Sequence, residues 1–129
     1  MTGAWNRKVL PKTGTQGEEL ACERLQGAGY VILERNYRRP FGEVDIIARQ
    51  DGVVCFIEVK TRRSRQYGDG FAAVHSHKQR RLSRIALDYL ARNNLLHSPA
   101  RFDVVSIFLG QGVRPKVQLL QNAFEFIEP

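Results

Sequence analysis

Residues 42–48 read Gly-Glu-Val-Asp-Ile-Ile-Ala, residues 53–60 read Val-Val-Cys-Phe-Ile-Glu-Val-Lys, and Asp51-Gly52 lies between them. Both stretches are rich in Val and Ile and are bounded by turn-forming residues, a pattern that predicts two β-strands. Asp-Gly is a favoured pair at the centre of a type I′ turn, because both central positions need a positive φ angle. The segment is therefore predicted to form an antiparallel hairpin.

The register that this turn imposes places Asp45 opposite Glu58, and Glu43 opposite Lys60. Opposed Cβ atoms on one face of a strand pair are about 4.5–5.5 Å apart, and like charges placed there are destabilising. An ordinary hairpin with a Glu43–Lys60 ion pair on its wet side would explain the lysine but not the facing carboxylates. A bound divalent cation would explain both, because such ions are held by carboxylate oxygens.

Strand alternation supports this interpretation, because it separates a charged face of the hairpin from an apolar face. The residues predicted on the charged face are Glu43, Asp45, Ile47, Phe56, Glu58 and Lys60. Those predicted on the apolar face are Val44, Ile46, Ala48, Val53, Cys55, Ile57 and Val59. The carboxylates and the lysine thus share one face across both strands.

The composition predicts one basic globular domain. The chain has 129 residues, of which 43% are hydrophobic and 26% are charged, as is typical of a folded domain with a normal core. Lys and Arg together number 20 against 13 Asp and Glu, which gives a net charge of +7 and favours a polyanionic partner. The two cysteines, Cys22 and Cys55, occupy apolar positions and are expected to be reduced core residues. The sequence has no segment resembling a signal peptide or a membrane span, so a cytoplasmic protein without a membrane partner is expected.

Hydrophobic periodicity and turn signals predict the element order α-β-β-β-α-β-β, an α/β fold with a mixed sheet flanked by helices. The predicted helices cover residues 16–26 and 76–93, and the predicted strands cover residues 30–33, 42–48, 53–60, 102–109 and 117–124. Residues 1–13 are expected to form a flexible arm, and residues 14–129 a single domain. Residues 61–70 are predicted to form a basic, glycine-containing loop.

Glu18 is a candidate third carboxylate. It lies three, four and seven residues before Ala21, Cys22 and Leu25, and so shares the apolar face of the first helix. The sequence Thr-Gln-Gly-Glu at 15–18 also fits a capping box, which is a local structural role. The two roles can coexist, because the helix dipole favours a carboxylate in the first turn.

Basic residues flank the acidic centre on both sides in sequence. They are Arg62, Arg63 and Arg65 after the hairpin, and Lys78, Arg80, Arg81 and Arg84 in the second helix. Lys78 precedes Leu82 by four residues and is predicted to face the sheet near Glu58 and Lys60, whereas the helix arginines are predicted to face outward and contact phosphates. An acidic centre with a basic rim is typical of metal-dependent enzymes that act on phosphodiesters. A solvated charged face is the alternative.

These residues resemble the core motif of the restriction-endonuclease-like superfamily, an acidic residue on one strand followed by Glu-x-Lys on the next. Here the motif is Asp45 and then Glu58-Val59-Lys60. More narrowly, the sequence resembles the small bacterial YraN family over nearly all of residues 13–124, in segments that begin at Gly14, Gly42, Phe56 and Arg101. Archaeal Holliday-junction resolvases have a similar Glu, Asp, Glu-x-Lys arrangement, and the resemblance implies a site role for Glu18. Val44 stands where the wider motif has a proline, which is not a ligand.

The resemblance and the charge pattern together imply a nuclease that depends on Mg²⁺ or Mn²⁺. Asp45, Glu58 and Glu18 would bind the metal, and Lys60 would position the attacking water or neutralise the phosphate. The expected partner is nucleic acid, DNA in preference to RNA, and branched or damaged DNA is one candidate substrate. By analogy with the resolvases, a homodimer is also expected. The alternatives are a non-catalytic nucleic-acid-binding accessory protein with the same fold, and a structural protein whose charge pattern has no chemical role.

Overall fold

The computed structural model describes residues 15–63 and 76–128. Its elements are α1 (Thr15–Gly27), β1 (Val31–Arg39), β2 (Gly42–Gln50), β3 (Val53–Arg62), α2 (Ser76–Arg92), β4 (Ala100–Phe108) and β5 (Lys116–Phe124). The predicted order α-β-β-β-α-β-β is confirmed. β1 is longer than predicted, and residues 61–62 continue β3 instead of starting a loop. The predicted arm at 1–13 and the rest of the predicted loop, 64–70, lie outside the described residues.

The five strands form one mixed sheet in which they lie in sequence order, from β1 to β5. Neighbouring strands are antiparallel except β3 and β4, which are parallel. Parallel neighbours need a long crossover, and α2 belongs to the segment that makes it. Within the part of the chain that the structure describes, neither helix is both long enough and apolar enough to cross a membrane.

The β2–β3 hairpin has the predicted register from the turn as far as Ile46 and Ile57, and the predicted pair Asp45–Glu58 lies just beyond the regular ladder. Ile46 pairs with Ile57, and the pairing continues in step to Gln50 and Val53. The turn residues Asp51 and Gly52 have φ angles of 52° and 80°, as a type I′ turn requires.

The two helices cover opposite faces of this sheet. On one face, Ala21, Cys22 and Leu25 of α1 pack with alternate residues of the hairpin, which include Ile46, Cys55 and Ile57. On the other face, α2 packs with the hairpin residues that alternate with these. This cluster includes Leu82, Ile85 and Tyr89 of α2 and Ile47 and Phe56 of the hairpin. Both cysteines are free and buried, as predicted.

The predicted apolar face of β2 is wrong at Val44, which packs with Ile47 on the α2 side. The β2–β3 ladder becomes irregular at the next residue, Asp45. The regular pairing of β2 with β3 ends at Ile46 and Ile57, and the side chain of Asp45 instead accepts a hydrogen bond from the backbone of Val59. Side chains need not keep alternating between the two faces of a sheet beyond the point where regular pairing with the neighbouring strand ends.

Gly17 brings the first turn of α1 against the end of β3. A Cβ atom at this position would overlap the hydroxyl oxygen of Thr61 and lie 3.4 Å from its Cβ atom. We expect Gly17→Ala to lower the free energy of unfolding by about 1–3 kcal/mol, because overpacking outweighs the gain of about 1 kcal/mol in helix propensity. Urea denaturation monitored by circular dichroism measures the change.

Gly27 provides the matched control in the same helix, since a Cβ atom there would meet nothing within 4 Å. Gly27→Ala should be neutral or stabilising. In a Thr61→Ala background Gly17→Ala should lose its penalty. An equal penalty in both backgrounds would show that the contact with Thr61 is not its cause.

Candidate active site

An open pocket of about 430 Å³ lies where β1, β2 and β3 meet the first turns of α2. The residues that line it are Arg38, Arg39, Pro40, Gly42, Glu43, Asp45, Glu58, Lys78 and Arg81. Both carboxylates of the predicted motif, Asp45 and Glu58, are among them. The pocket therefore contains an acidic centre and a rim that carries three arginines.

Asp45 is held in place by the backbone of β3. Its Oδ2 atom accepts a hydrogen bond of 2.7 Å from the N–H of Val59. Burial, followed by the negative charge of Glu58, raises the pKa of Asp45 from 3.8 to about 7, although the hydrogen bond from Val59 opposes the shift. Glu18 adds a smaller repulsion. The charged form of Asp45 is therefore disfavoured first by burial and then by the negative charge of Glu58.

Glu58 is buried, with 7% of its surface exposed, and is paired with two lysines. Its Oε2 atom lies 3.4 Å from Nζ of Lys60 and also forms an ion pair with Lys78. Burial and the neighbouring Lys78 lower the pKa of Lys60. Burial also acts to lower the pKa of Lys78, but its hydrogen bond to Glu58, its contact with Lys60 and the negative charges of Glu58 and Asp45 together raise it.

The predicted partnership of Glu43 with Lys60 is not found. Glu43 forms an ion pair with Arg38 across the β1–β2 pair, with 2.8 Å between Oε1 and Nε. The regular β2–β3 ladder ends before it reaches Glu43, so the neighbour available to this side chain is on β1.

Glu18 of α1 is not among the residues that line the pocket, and its carboxylate is engaged by β1. Its Oε1 atom accepts a hydrogen bond of 3.2 Å from Nδ2 of Asn36 and lies 3.6 Å from Nη2 of Arg35. Among the residues described, no group of three or more His, Cys, Asp and Glu side chains is arranged to hold a metal ion. The structure therefore brings Asp45 and Glu58 together, but it does not preassemble the three-carboxylate set expected from the sequence.

The predicted basic residues of α2 divide into different environments. Lys78 lies where the helix pattern places it, against Glu58. Arg81 lines the pocket instead of pointing only to solvent, the guanidinium of Arg84 lies 4.2 Å from the centre of the Phe41 ring, and Arg80 is exposed.

The basic residues after the hairpin also differ from one another. Arg63 is exposed, and Arg65 lies outside the described residues. The Nε and Nη1 atoms of Arg62 are buried and have no hydrogen-bond partner among the described residues.

Sequence reasoning missed Arg38 and Arg39, which lie on the rim, because the prediction ended β1 at residue 33. It also missed Asn36, which contacts Glu18 and has a positive φ angle of 54°. Residues 34–39 alternate poorly in hydropathy, so periodicity gave no strand signal there. Asn is one of the few residues that tolerate positive φ, and this is the one local signal of an irregularity.

Asp45 and Glu58 could hold a divalent cation, since carboxylate oxygens are the ligands that Mg²⁺ and Mn²⁺ prefer. The donor set fits such an ion, because two carboxylates line one open pocket and the negative charge of Glu58 acts on Asp45. The backbone hydrogen bond fixes one of the two carboxylates in orientation.

The raised pKa of Asp45 predicts a pH-dependent cost to stability. In the folded state the Asp45 carboxyl keeps its proton up to about pH 7, whereas in the unfolded chain it loses the proton near its ordinary pKa of 3.8. Between these two pH values the unfolded state therefore binds fewer protons. Stability should therefore fall as the pH rises from about 4 to about 7, by roughly 2–4 kcal/mol in total. Asp45→Asn keeps an acceptor for Val59 and should remove this loss, as urea denaturation at a series of pH values will show.

Asp51→Asn is the matched control, because it removes a carboxylate from an exposed turn. A difference between Asp45→Asn and wild type that stays constant from pH 4 to pH 8 would contradict the assigned pKa.

Comparison with known proteins places this chain in a family. The model of the Uncharacterised protein family UPF0102 matches residues 17–107. A UPF0102 protein of Pelobacter propionicus is 50% identical over 115 residues, which are 88% of this chain and 82% of the relative. A UPF0102 protein of Symbiobacterium thermophilum is 49% identical over 113 residues, 88% of this chain and 96% of the relative. A solved structure described as "Crystal structure of SSO0001" covers 88% of this chain and 54% of its own, at 19% identity and a TM-score of 0.36, which is too low to support an inference. The chain belongs to the Uncharacterised protein family UPF0102.

Proposed function

We propose that this protein is a Mg²⁺-dependent nuclease that hydrolyses phosphodiester bonds, with Mn²⁺ as an alternative ion. The observation that supports this most directly is the meeting of Asp45 and Glu58 in one open pocket with arginines on its rim. Carboxylates placed together repel a phosphate, so a protein that only binds nucleic acid gains nothing from them. Their pairing is explained if a cation joins them.

Each group at the site has a role in this proposal. Asp45 and Glu58 would hold the Mg²⁺, which when bound supplies Lewis acidity to a water and to a phosphate oxygen. The Val59 N–H fixes the orientation of Asp45. The ammonium group of Lys60, 3.4 Å from Glu58, orients a water or neutralises negative charge on the phosphate.

The positive charge in and around the pocket supports a polyanionic substrate. Arg38, Arg39 and Arg81 line the same pocket as the carboxylates, and guanidinium groups bind phosphates in a bidentate manner. The net charge of +7 adds a long-range attraction to a polyanion. These charges favour nucleic acid, and the resemblance to the resolvases suggests DNA as the preferred partner, branched DNA being one candidate form. A homodimer is also expected, by analogy with the resolvases, and analytical ultracentrifugation of the full chain tests it.

A non-catalytic nucleic-acid-binding protein is the second candidate. It is favoured by the ion pairs of Glu58, which is already neutralised by two lysines without a metal. Labelled linear, flap, four-way-junction and single-stranded substrates, each incubated with Mg²⁺ and with Mn²⁺, distinguish the two functions. Cleavage that depends on the metal and on Asp45 supports the nuclease, whereas tight binding without cleavage of any of them supports the accessory protein.

Substitutions of Lys60 and Asp45 should separate proton positioning from metal binding. Asp45→Ala removes a proposed ligand and should lose metal binding and cleavage together. Lys60→Ala should keep metal binding, because it removes a cation and no ligand, yet lower cleavage by about 10²–10⁴-fold, the usual range for a positioned acid–base group. Calorimetry, melting temperature and cleavage rate are measured on both variants.

The alternative for Lys60 is a partly exposed ion pair without a catalytic role. In that case Lys60→Ala would change stability by about 0–1 kcal/mol and leave cleavage intact. That outcome would reject the proposed role of Lys60.

Binding of nucleic acid should be strongly salt-dependent and should use the arginines of α2. Each phosphate contact contributes about −0.7 to −0.9 to the slope of log K against log[salt]. The triple variant Arg80/Arg81/Arg84→Ala should therefore flatten the slope by roughly 1–3, measured by fluorescence anisotropy with a labelled oligonucleotide.

The charge-matched control is Arg24/Arg114/Lys116→Ala, which removes three exposed cations away from the pocket. A slope that falls equally in both triple variants would show that the phosphates follow another path over the surface.

A further inference from the structure

Two ammonium groups compete for one carboxylate oxygen in the pocket. Oε2 of Glu58 is 3.4 Å from Nζ of Lys60 and closer still to Nζ of Lys78. Lys60 comes from the same strand, two residues beyond Glu58, whereas Lys78 comes from α2. The helix therefore contributes the nearer of the two counter-ions of Glu58.

The charges of this cluster balance without a metal. Asp45 and Glu58 supply two negative charges when ionised, and Lys60 and Lys78 supply two positive charges. A divalent cation added to an unchanged cluster would create a net charge of +2 in a partly buried site, which is costly. Binding of the cation to Glu58 therefore requires that an ammonium group leave the carboxylate.

Lys78 is the group that is placed to leave. Its side chain is 31% exposed, against 23% for Lys60, and it lines the open pocket together with Glu58. It is the third residue of α2, which begins at Ser76, and its long flexible stem can carry the charge to the pocket mouth. Lys60 lies on β3, where its backbone pairs with Ser106 of β4.

We propose that Lys78 is a resident counter-ion, which occupies Glu58 in the metal-free protein, leaves that carboxylate when a divalent cation binds, and thereby sets the metal affinity of the pocket. This inference rests on the proposed function, because it assumes that Glu58 is a metal ligand. A ligand that must displace a bound group loses affinity by the strength of the contact it displaces. Removal of Lys78 should therefore tighten metal binding.

The test is isothermal titration calorimetry of MgCl₂ into the full chain, for wild type, Lys78→Met and Arg80→Met. Methionine keeps most of the lysine stem and removes the charge. We expect Lys78→Met to lower the Kd for Mg²⁺ by about tenfold, the order expected for a charged hydrogen bond that no longer has to be broken. Arg80→Met is the matched control, since it removes one exposed cation of the same helix, and should change the Kd by no more than about twofold.

Thermal melting gives a second reading that does not depend on activity. Without metal, Lys78→Met should melt below wild type, because Glu58 has lost its nearer partner. With saturating Mg²⁺ its melting temperature should rise by more than that of wild type. A purely structural ion pair would give the first result without the second. Lys78→Gln serves the same measurements if the methionine variant does not fold.

The outcomes separate this inference from the proposed function. If wild type binds Mg²⁺ through Asp45 but Lys78→Met behaves like Arg80→Met, the inference is overturned and the metal site stands. Binding that is detectable only in Lys78→Met supports the inference. If wild type and both Lys78 variants all fail to bind Mg²⁺ or Mn²⁺, the inference and the proposed function are both overturned.

Discussion

The hydrogen bond from the Val59 backbone to the Asp45 carboxylate is the interaction on which the site depends. It lies just beyond the last regular pair of the β2–β3 hairpin, Ile46 with Ile57. A side chain there takes a backbone donor that a regular ladder would give to a main-chain carbonyl. This interaction lies where the regular ladder ends and Val44 packs on the α2 side, and it orients a carboxylate that lines an open pocket.

The same hydrogen bond fixes the orientation of the Asp45 carboxylate at a place where ionisation of this group lowers the stability of the fold. Burial and Glu58 raise the pKa of Asp45, so ionisation of this residue opposes folding at neutral pH. The lysines offset part of that cost by pairing with Glu58. A site that is optimised only for stability would not place two carboxylates together, and retained strain of this kind is typical of functional sites.

The sequence predicted the hairpin correctly because local chemistry decides it. The Asp-Gly turn fixes the register, and the alternation of apolar residues fixes the faces as far as Ile46. It did not predict the break at Asp45, because that depends on a side chain competing with the backbone. The sequence also predicted Lys60 as the partner of Glu43, whereas Glu43 forms its ion pair with Arg38. This partner was missed because nothing local showed that β1 would extend beside Glu43. Glu18 could be placed on the correct helix face, but its contacts depend on the unpredicted part of β1.

The parallel pairing of β3 with β4 has a consequence for how the chain reaches this structure. The hairpin that carries Asp45 and Glu58 is formed by contacts close in sequence, which close quickly, whereas parallel pairing across the α2 crossover must first overcome the entropy of a long loop. Lys78 belongs to that crossover and meets Glu58 only when α2 docks. We therefore expect the carboxylate pair to form during folding before its nearer counter-ion arrives, so that the docking of α2 adds apolar burial and charge neutralisation in one late step.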